Sequence, residues 1–473
     1  VNEFVIKSSS QTTSLHTLRR ILNPQSVALV GASSKEDSLG NWFLQSLVKG
    51  GFQGSIFPVN PRGGKILGLH VFEDLGAVPN PVDLGILAIA SEHVPASLRA
   101  CAGKGMAGVI VAAGGFAETG KEGRTLQKEI VELVRTHNLR LIGPNTIGVI
   151  NTAGRLNASF SREMSGSTPG SIAVISQSGS VCETLFFRCR ERGFGFSTLI
   201  SSGNEADLDL CDYLEYLIED PATRVIALYV EQIKRPRRFM ELARSALCRK
   251  PIVMFRTGRT TRGRVAASSH TGALAGNDLI QSGLHRQLGL IEARSYQSFV
   301  DSVIGLAGER YPEGNRLAVL TGPGAPGVAT CDAAVEAGLL VEVLEEGTCL
   351  RLREILPGMA SWQNPVDMTG AVATNPLMVP EALQVILGDH SVDGVILIFG
   401  ALLSLEGLDR IIGIISGQSK PVLAVIVASL TENRDARALI QQLGREQIPS
   451  FFTPEQAVES FKILWEMAKY RNR

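Results

Sequence analysis

The chain has 473 residues, and its 46 lysines and arginines are matched by 46 aspartates and glutamates. At roughly 150 residues per domain that length suggests about three domains. The balanced charge and the 6% aromatic content argue against a polyanionic partner such as nucleic acid and against a base-stacking platform.

Apolar residues make up 44% of the chain and charged residues only 19%, enough for sizeable cores. The seven cysteines are scattered and form no C-x-x-C pair, the pattern of reduced, mostly buried thiols in a cytosolic protein. The first residues, "VNEFVIKSSSQTTSLHTLRR", contain no apolar core of signal-peptide length. No run approaches the ~20 apolar residues of a membrane span. A soluble, cytoplasmic chain is expected.

Short β-branched runs alternate with amphipathic stretches from the start. Strands are predicted in "SVALVGAS" (26–33), "GSIFPVN" (54–60), "VDLGILAIAS" (82–91), "GVIVAAGG" (108–115) and "LRLIGPN" (139–145), with helices over 41–50 and 125–138. Near-continuous apolar strands between helices indicate a parallel sheet covered on both faces. The first strand ends in "VGASSKEDSLG", which is not the dinucleotide fingerprint G-x-G-x-x-G. Gly31, Ala32 and Ser33 still allow a phosphate to approach the backbone closely. Arg62 and Lys65 in "VNPRGGK", and Ala90 and Ser91 in "AIAS", add cations and small residues at neighbouring strand ends. The set suits a phosphate-bearing, nucleotide-like ligand, and it equally suits ordinary tight turns.

The pattern restarts after "NTAGRLNASFSREMSGSTPG" (151–170), which reads as a linker. Strands are predicted in 170–180, 196–204, 224–231 and 250–258. In "VISQSGSVCETLFFRCRE", Ser176, Ser178, Gly179 and Ser180 stand where a helix begins. Free N–H groups and the positive end of the dipole favour an anion there. A serine N-cap accounts for one serine of the cluster, not for all three.

The segment "RTGRTTRGRVAASSHTGALAG" places His270 among small residues and four arginines, Arg256, Arg259, Arg262 and Arg264. It reads as a mobile loop, with the arginines mostly a solvated face. Imidazole is a good phosphoryl acceptor when a carboxylate fixes its tautomer. Glu231, at the end of "IALYVE", serves if the sheet order brings the two ends together, and is otherwise a solvent-facing strand end. A further break at "GERYPEGN" (308–315) precedes a third set of strands predicted in 316–324, 339–345, 392–400 and 420–429.

From about residue 15 onward the chain resembles the α subunit, or α half, of the NDP-forming acyl-CoA synthetases, relatives of succinyl-CoA synthetase. "VALVGAS" with "VNPRGGKILG" is similar to the family's CoA-binding domain. "SQSG", "SGNEADLDLCDYLEYLIEDPATRVIALYVE" and "SSHTGALAG" are similar to its central ligase domain, and "LPGMASWQNPVDMTG" with "IPSFFTPEQAVESF" to the third domain of the longer α subunits. The resemblance implies three doubly wound α/β domains: a Rossmann-like CoA-binding domain at 15–150 and flavodoxin-like ligase domains at 165–308 and 314–473. It also implies an acid–CoA ligase acting through acyl phosphate and phosphohistidine. His270 would be the nucleophile and Glu231 its orienting carboxylate. Ser176, Ser178, Gly179 and Ser180 would lie at the phosphate, and Gly31, Ala32, Ser33, Arg62, Ala90 and Ser91 around CoA. Nucleotide and Mg2+ would be held by an ATP-grasp β partner, since no stretch of this chain reads as that domain.

Two positions depart from the family. Arg256 stands where lysine is usual, and "TGPGAPG" replaces the usual Asn-Gly-Gly type of loop. The alternatives are an FdrA-like carbamoyl-transfer protein on the same scaffold, and a non-catalytic CoA or acyl-CoA sensor.

Overall fold

The computed structural model describes residues 15–271, 278–400, 407–428 and 434–471, and leaves the side chains of 267–271 and 279–280 undescribed. The chain forms two compact units. One comprises Val1–Phe186, Phe196–Ala246 and Met254–Glu292, the other Phe187–Gly195, Leu247–Val253 and Ala293–Arg473. The fold is mixed α/β with three doubly wound, mainly parallel sheets.

The first sheet is ordered Ser55–Val59, Ser26–Val30, Leu84–Leu87, Gly108–Val111, Arg140–Ile142, all parallel. The helices Val94–Gly103 and Lys121–Thr136 cover one face through Val94, Leu98, Ile130 and Val134. The helix Leu39–Lys49 begins at Ser38, whose hydroxyl accepts from Asn41 N, an ordinary N-cap. It buries Phe43, Leu44 and Leu47 completely. The strand order reverses beside Ser26–Val30, which makes its carboxyl end the topological switch point where ligands settle in open α/β sheets.

The second sheet is ordered Ile291–Ala293, Ile252–Arg256, Val225–Val230, Pro169–Ser176, Phe196–Ser201, Gly148–Asn151, Leu156–Ser159. Its last two strands are antiparallel additions. They reach into the first part of the stretch 151–170 that the sequence presents as a linker. Composition misleads there because the small polar residues are buried: Asn157 and Ser159 bond to each other, and Leu156 and Ala158 are inaccessible. Phe160, just beyond, packs edge-on against Phe43 at 5.9 Å between ring centroids.

A second junction ties the loop after Phe196–Ser201 to the edge of the first sheet. Asn204, Ala206 and Leu208 donate backbone N–H groups to the carbonyls of Pro144, Gly143 and Leu141. Asp207 accepts from the Arg140 guanidinium at 2.8 Å and from Leu141 N at 3.0 Å. Asp209 then caps the helix Leu210–Glu219 and is held by Arg235. Gly203 has φ +58°, and a Cβ there would lie 2.2 Å from Pro144 O, so the close approach requires glycine.

In the second unit the sheet runs Val366–Asp367, Leu317–Thr321, Gly394–Phe399, Val422–Ile426, Ser450–Phe451, all parallel. The expected strand at 339–345 does not form. Leu340 makes a single bridge to Arg316. Asn364 occupies the space alongside with its side-chain amide, bonding Val319 N, Leu317 O and Glu342 O. Val343 remains 73% exposed.

Cys101, Cys182, Cys189 and Cys211 are buried and free, and burial pushes their thiols up to about 12. Among the described residues no helix is long and apolar enough to cross a membrane.

Removing Asp207 leaves Arg140 and Leu141 N without their acceptor at a partly buried junction. Asp207→Ala is expected to lower stability by roughly 2 kcal/mol in urea denaturation. A change below about 0.5 kcal/mol, the level of a neutral surface substitution, would contradict this account of the junction.

Candidate functional site

The carboxyl ends of the first two sheets surround a cleft of ≈ 650 Å³ within the first unit. From the first sheet's side come Ala112, Ala117, Glu118 and Gln127. From the second come Gln177–Ser180, Gly203–Glu205, Glu231, Gln232 and Lys234, with Asn145–Ile147 and Phe160 between them.

The helix Gly179–Glu191 points its N-terminus into this cleft. Ser178 starts it, its carbonyl accepting from Cys182 N at 3.2 Å. The hydroxyls of Ser178 and Ser180 lie 3.1 Å apart, beside the N–H groups that no helical carbonyl can satisfy. Ser176 is placed differently. It is fully buried, and its hydroxyl donates to Ser178 O at 2.6 Å and accepts from Ser178 N at 3.3 Å. It shapes the turn from beneath, while Ser178, Gly179 and Ser180 line the cleft.

Glu231 lines the same cleft at the end of Val225–Val230. Gln177 fixes that strand end, its Oε1 accepting from Glu231 N at 2.6 Å and Gln232 N at 2.9 Å. The hydroxyl of Tyr229 donates to Glu231 Oε1 at 3.3 Å and lies 3.0 Å from Thr257 Oγ1. Thr257 follows the neighbouring strand Ile252–Arg256, so the sheet order sets the end bearing Glu231 beside the start of the segment that carries His270.

Glu118, Asn204, Glu205 and Lys234, to which the sequence analysis assigned no role, also line the walls. Glu118 accepts from the Asn204 amide and from the N–H groups of Gly115 and Phe116. Its burial raises the pKa, but these hydrogen bonds outweigh that and hold the carboxyl below the usual range. Lys234 donates to the carbonyls of Asn204 and Glu205 at 2.7 and 2.6 Å. Glu205 is 3% exposed. The available signal for Asn204 and Glu205 was the family-like segment beginning "SGNE", directly after a strand at the sheet edge where ligands bind.

The residues expected around CoA are not on this cleft's lining. They sit at the first sheet's own switch point. Gly31 has φ +88°, and a Cβ there would lie 2.4 Å from Ala88 O. The N–H groups of Gly31 and Ala32 both donate to Val59 O. The glycine is therefore required by close packing within the turn, and its N–H and that of Ala32 are already engaged. Ser33 accepts from Lys35 N. Arg62 and Ala90 are exposed, and Ser91 stands beside Gly115, filling the place of the missing Cβ. A switch point with an exposed arginine at its rim fits a phosphate-bearing ligand. Among the described residues no cluster of three or more His, Cys, Asp or Glu could hold a metal.

The segment of His270 is not a loop where it is described. Thr261–Thr271 is a helix that includes His270. Thr260 Oγ1 caps Gly263 N at 3.0 Å, and "VAAS" supplies helix-tolerant residues. The imidazole and residues 272–277 lie outside the described residues. Arg256 is not part of a solvated face either. It is 9% exposed and pairs with Glu292 at 2.5 Å and Asp278 at 2.9 Å, while Arg259 reaches Asp278 at 3.2 Å. These pairs join the chain just before the helix to the chain at residue 278, closing the base of the His270 segment.

Residues 25–152 match a model described as a CoA binding domain, and residues 169–305 one described as a succinyl-CoA ligase like flavodoxin domain. The α subunit of acetate–CoA ligase [ADP-forming] II of Pyrococcus furiosus is 35% identical over 94% of this chain and 97% of its own length. The α subunit of ligase I from the same organism is 33% identical over 96% and 98%. The chain belongs to this family. Its members include the acetate–CoA ligase [ADP-forming] I of Archaeoglobus fulgidus, 34% identical over 96% of this chain and 64% of that protein. Among solved structures, a "dinucleotide forming" acetyl-coenzyme A synthetase 1 of Ca. Korarchaeum cryptofilum, in complex with phosphate and ADP, superposes with a TM-score of 0.87. It has 31% identity and covers 96% of this chain and 97% of its own. The family is one of acid–CoA ligases of the ADP-forming type, which favours neither the carbamoyl-transfer nor the sensor alternative.

Breaking a buried ion pair from one side costs about 3–5 kcal/mol. Arg256→Met is therefore expected to lower the thermal midpoint and to speed tryptic cleavage after the exposed Arg262. Unchanged cleavage would show that Arg256 does not close the base of this segment.

Proposed function

We propose that the chain is the α subunit of an NDP-forming acyl-CoA synthetase. It interconverts acyl-CoA, phosphate and ADP or GDP with free acid, CoA and ATP or GTP. A phosphate oxygen attacks the thioester carbon, the C–S bond breaks, and CoA leaves as its thiolate. The acyl phosphate then yields its phosphoryl group to an imidazole nitrogen of His270, and the carboxylate departs. The phosphohistidine passes the group to the nucleoside diphosphate.

Each residue has a positional or electrostatic task, as phosphoryl transfer demands. The N–H groups of Gly179 and Ser180 and the hydroxyls of Ser178 and Ser180 hold the tetrahedral anion, with Ser176 bracing their turn. Glu231 orients the imidazole and stabilises its positive charge, itself steered by Tyr229 and Gln177. Gly31, Ala32, Ser33, Arg62, Ala90 and Ser91 border CoA. The observation that carries this reading is the meeting of a serine-rich helix N-terminus and Glu231 in one cleft, in a chain of this family.

The nucleotide and its Mg2+ fall to an ATP-grasp β partner, with domains of this chain at 15–150, 165–308 and 314–473. The α subunits of Pyrococcus furiosus are matched nearly end to end, whereas the longer Archaeoglobus fulgidus protein is matched over 64% of its length. The name of α subunit that both Pyrococcus furiosus proteins carry supports a β subunit as partner.

Incubation with labelled acetyl phosphate is expected to leave acid-labile, base-stable label on the wild type and none on His270→Ala. Label persisting in that variant would refute the assignment of the nucleophile. Glu231→Gln is expected to slow labelling by about 10²-fold, the scale of a lost proton-handling partner, with CoA binding retained. Full-rate labelling would remove Glu231 from the mechanism.

A further inference from the structure

The mechanism above gives the acyl group no resting place. In the acyl phosphate it hangs from a phosphate oxygen, so it lies beside the anion held at Ser178–Ser180. The structure puts an apolar side chain there. The Cγ2 methyl of Ile147 lies 2.7 Å from the point where a Cβ on Gly179 would stand, and, chain and helix neighbours aside, the three atoms nearest that point all belong to Ile147. A branched alkyl group therefore rests on the first residue of the Gly179–Glu191 helix. Ile147 is half-buried and lines the cleft.

Phe160 stands next to it. The N–H of Phe160 donates to Ile147 O at 3.0 Å, which extends the antiparallel register Gly148↔Ser159 by one pair. Residues opposite one another in such a pair present their side chains on the same face, and both line the cleft. The ring of Phe160 is held in place by the helix Leu39–Lys49. It meets the fully buried Phe43 edge-on at 5.9 Å and Trp42 at 6.4 Å. The Trp42 indole is itself fixed, its Nε1–H donating to Glu36 O at 2.6 Å. Ala112 and Ala117 add small apolar surface, and among the described residues the rest of the lining is polar or glycine. Hydrocarbon laid against Ile147 and Phe160 gains by leaving water. A charged group laid there sheds water without gaining a hydrogen bond from either side chain.

We propose that Ile147 and Phe160 form the wall that receives the acyl group, and that they select an uncharged hydrocarbon acyl chain over one ending in a second carboxylate. The proposal rests on the reading of the cleft as the phosphate site and names the substrate class of that site. Ile147 touches the helix residue at which the phosphate is held, so it meets the first carbons of the chain. Phe160, one pair further along the hairpin, meets the carbons beyond. Both act through contact area alone and take no part in the transfer of the phosphoryl group.

The test is calorimetric titration of the full chain with phosphonates, in which the phosphorus keeps its oxygens for the anion site and a chosen chain replaces the acyl group. Wild-type affinity is expected to rise about threefold per carbon from methyl- through ethyl- to propylphosphonate. The probe 3-phosphonopropionate, similar in length but tipped with a carboxylate, should bind about tenfold more weakly than propylphosphonate. Ile147→Ala should cut the rise per carbon to about 1.5-fold or less, with the affinity for inorganic phosphate within about twofold of the wild type. Phe160→Leu, a milder change in packing, should weaken propylphosphonate about twofold relative to methylphosphonate. A purely structural role would weaken every ligand alike. A flat wild-type series, or an undiminished rise in either variant, would overturn the acyl wall while leaving the anion site intact. Failure of the wild type to bind any phosphonate or inorganic phosphate would overturn both. The wild-type series decides the matter even where a variant fails to fold.

Discussion

The structure of the site depends on one seam, where the loop Gly203–Leu208 is bonded along the end of the strand Arg140–Ile142. Three backbone N–H groups cross it, and Asp207 fastens it through Arg140 and Leu141 N. The seam makes one compact body of two sheets that each have their own core. It also sets the direction of the carboxyl edges. Asn204 and Glu205 face the cleft because the residues on either side of them are spoken for.

From that seam the electrostatics of the cleft follow. The helix N-terminus at Ser178–Ser180 brings partial positive charge, and Lys234 adds an ammonium. Glu118, Glu205 and Glu231 bring three carboxyls to the same walls, and their surroundings treat them differently. Glu118 is held ionised by three donated hydrogen bonds. Burial drives Glu205 the other way. Glu231 is only partly buried and is positioned by Gln177 and Tyr229.

Much of this was legible in the residues. The parallel strands followed from unbroken β-branched runs, and the helix N-terminus from the serine cluster after one of them. What escaped reading did so for physical reasons. The hairpin at 148–159 looked like a linker because its small polar side chains are buried inside the fold. The run at 339–345 has strand composition, but the Asn364 side chain takes the hydrogen bonds a ladder would need. Arg256 looked like surface because its partners, Asp278 and Glu292, lie 22 and 36 residues away. Glu205 and Lys234 gave no periodic signal at all, since their place depends on the seam and not on a local pattern.

The central claim is that a tetrahedral anion is held where the Gly179–Glu191 helix meets the carboxyl edges of the two sheets. Anomalous diffraction from crystals soaked in tungstate tests it most directly. The account predicts a peak within hydrogen-bonding distance of the backbone at Ser178, Gly179 and Ser180. A vacant cleft alongside a well-occupied tungstate elsewhere on the chain would contradict it.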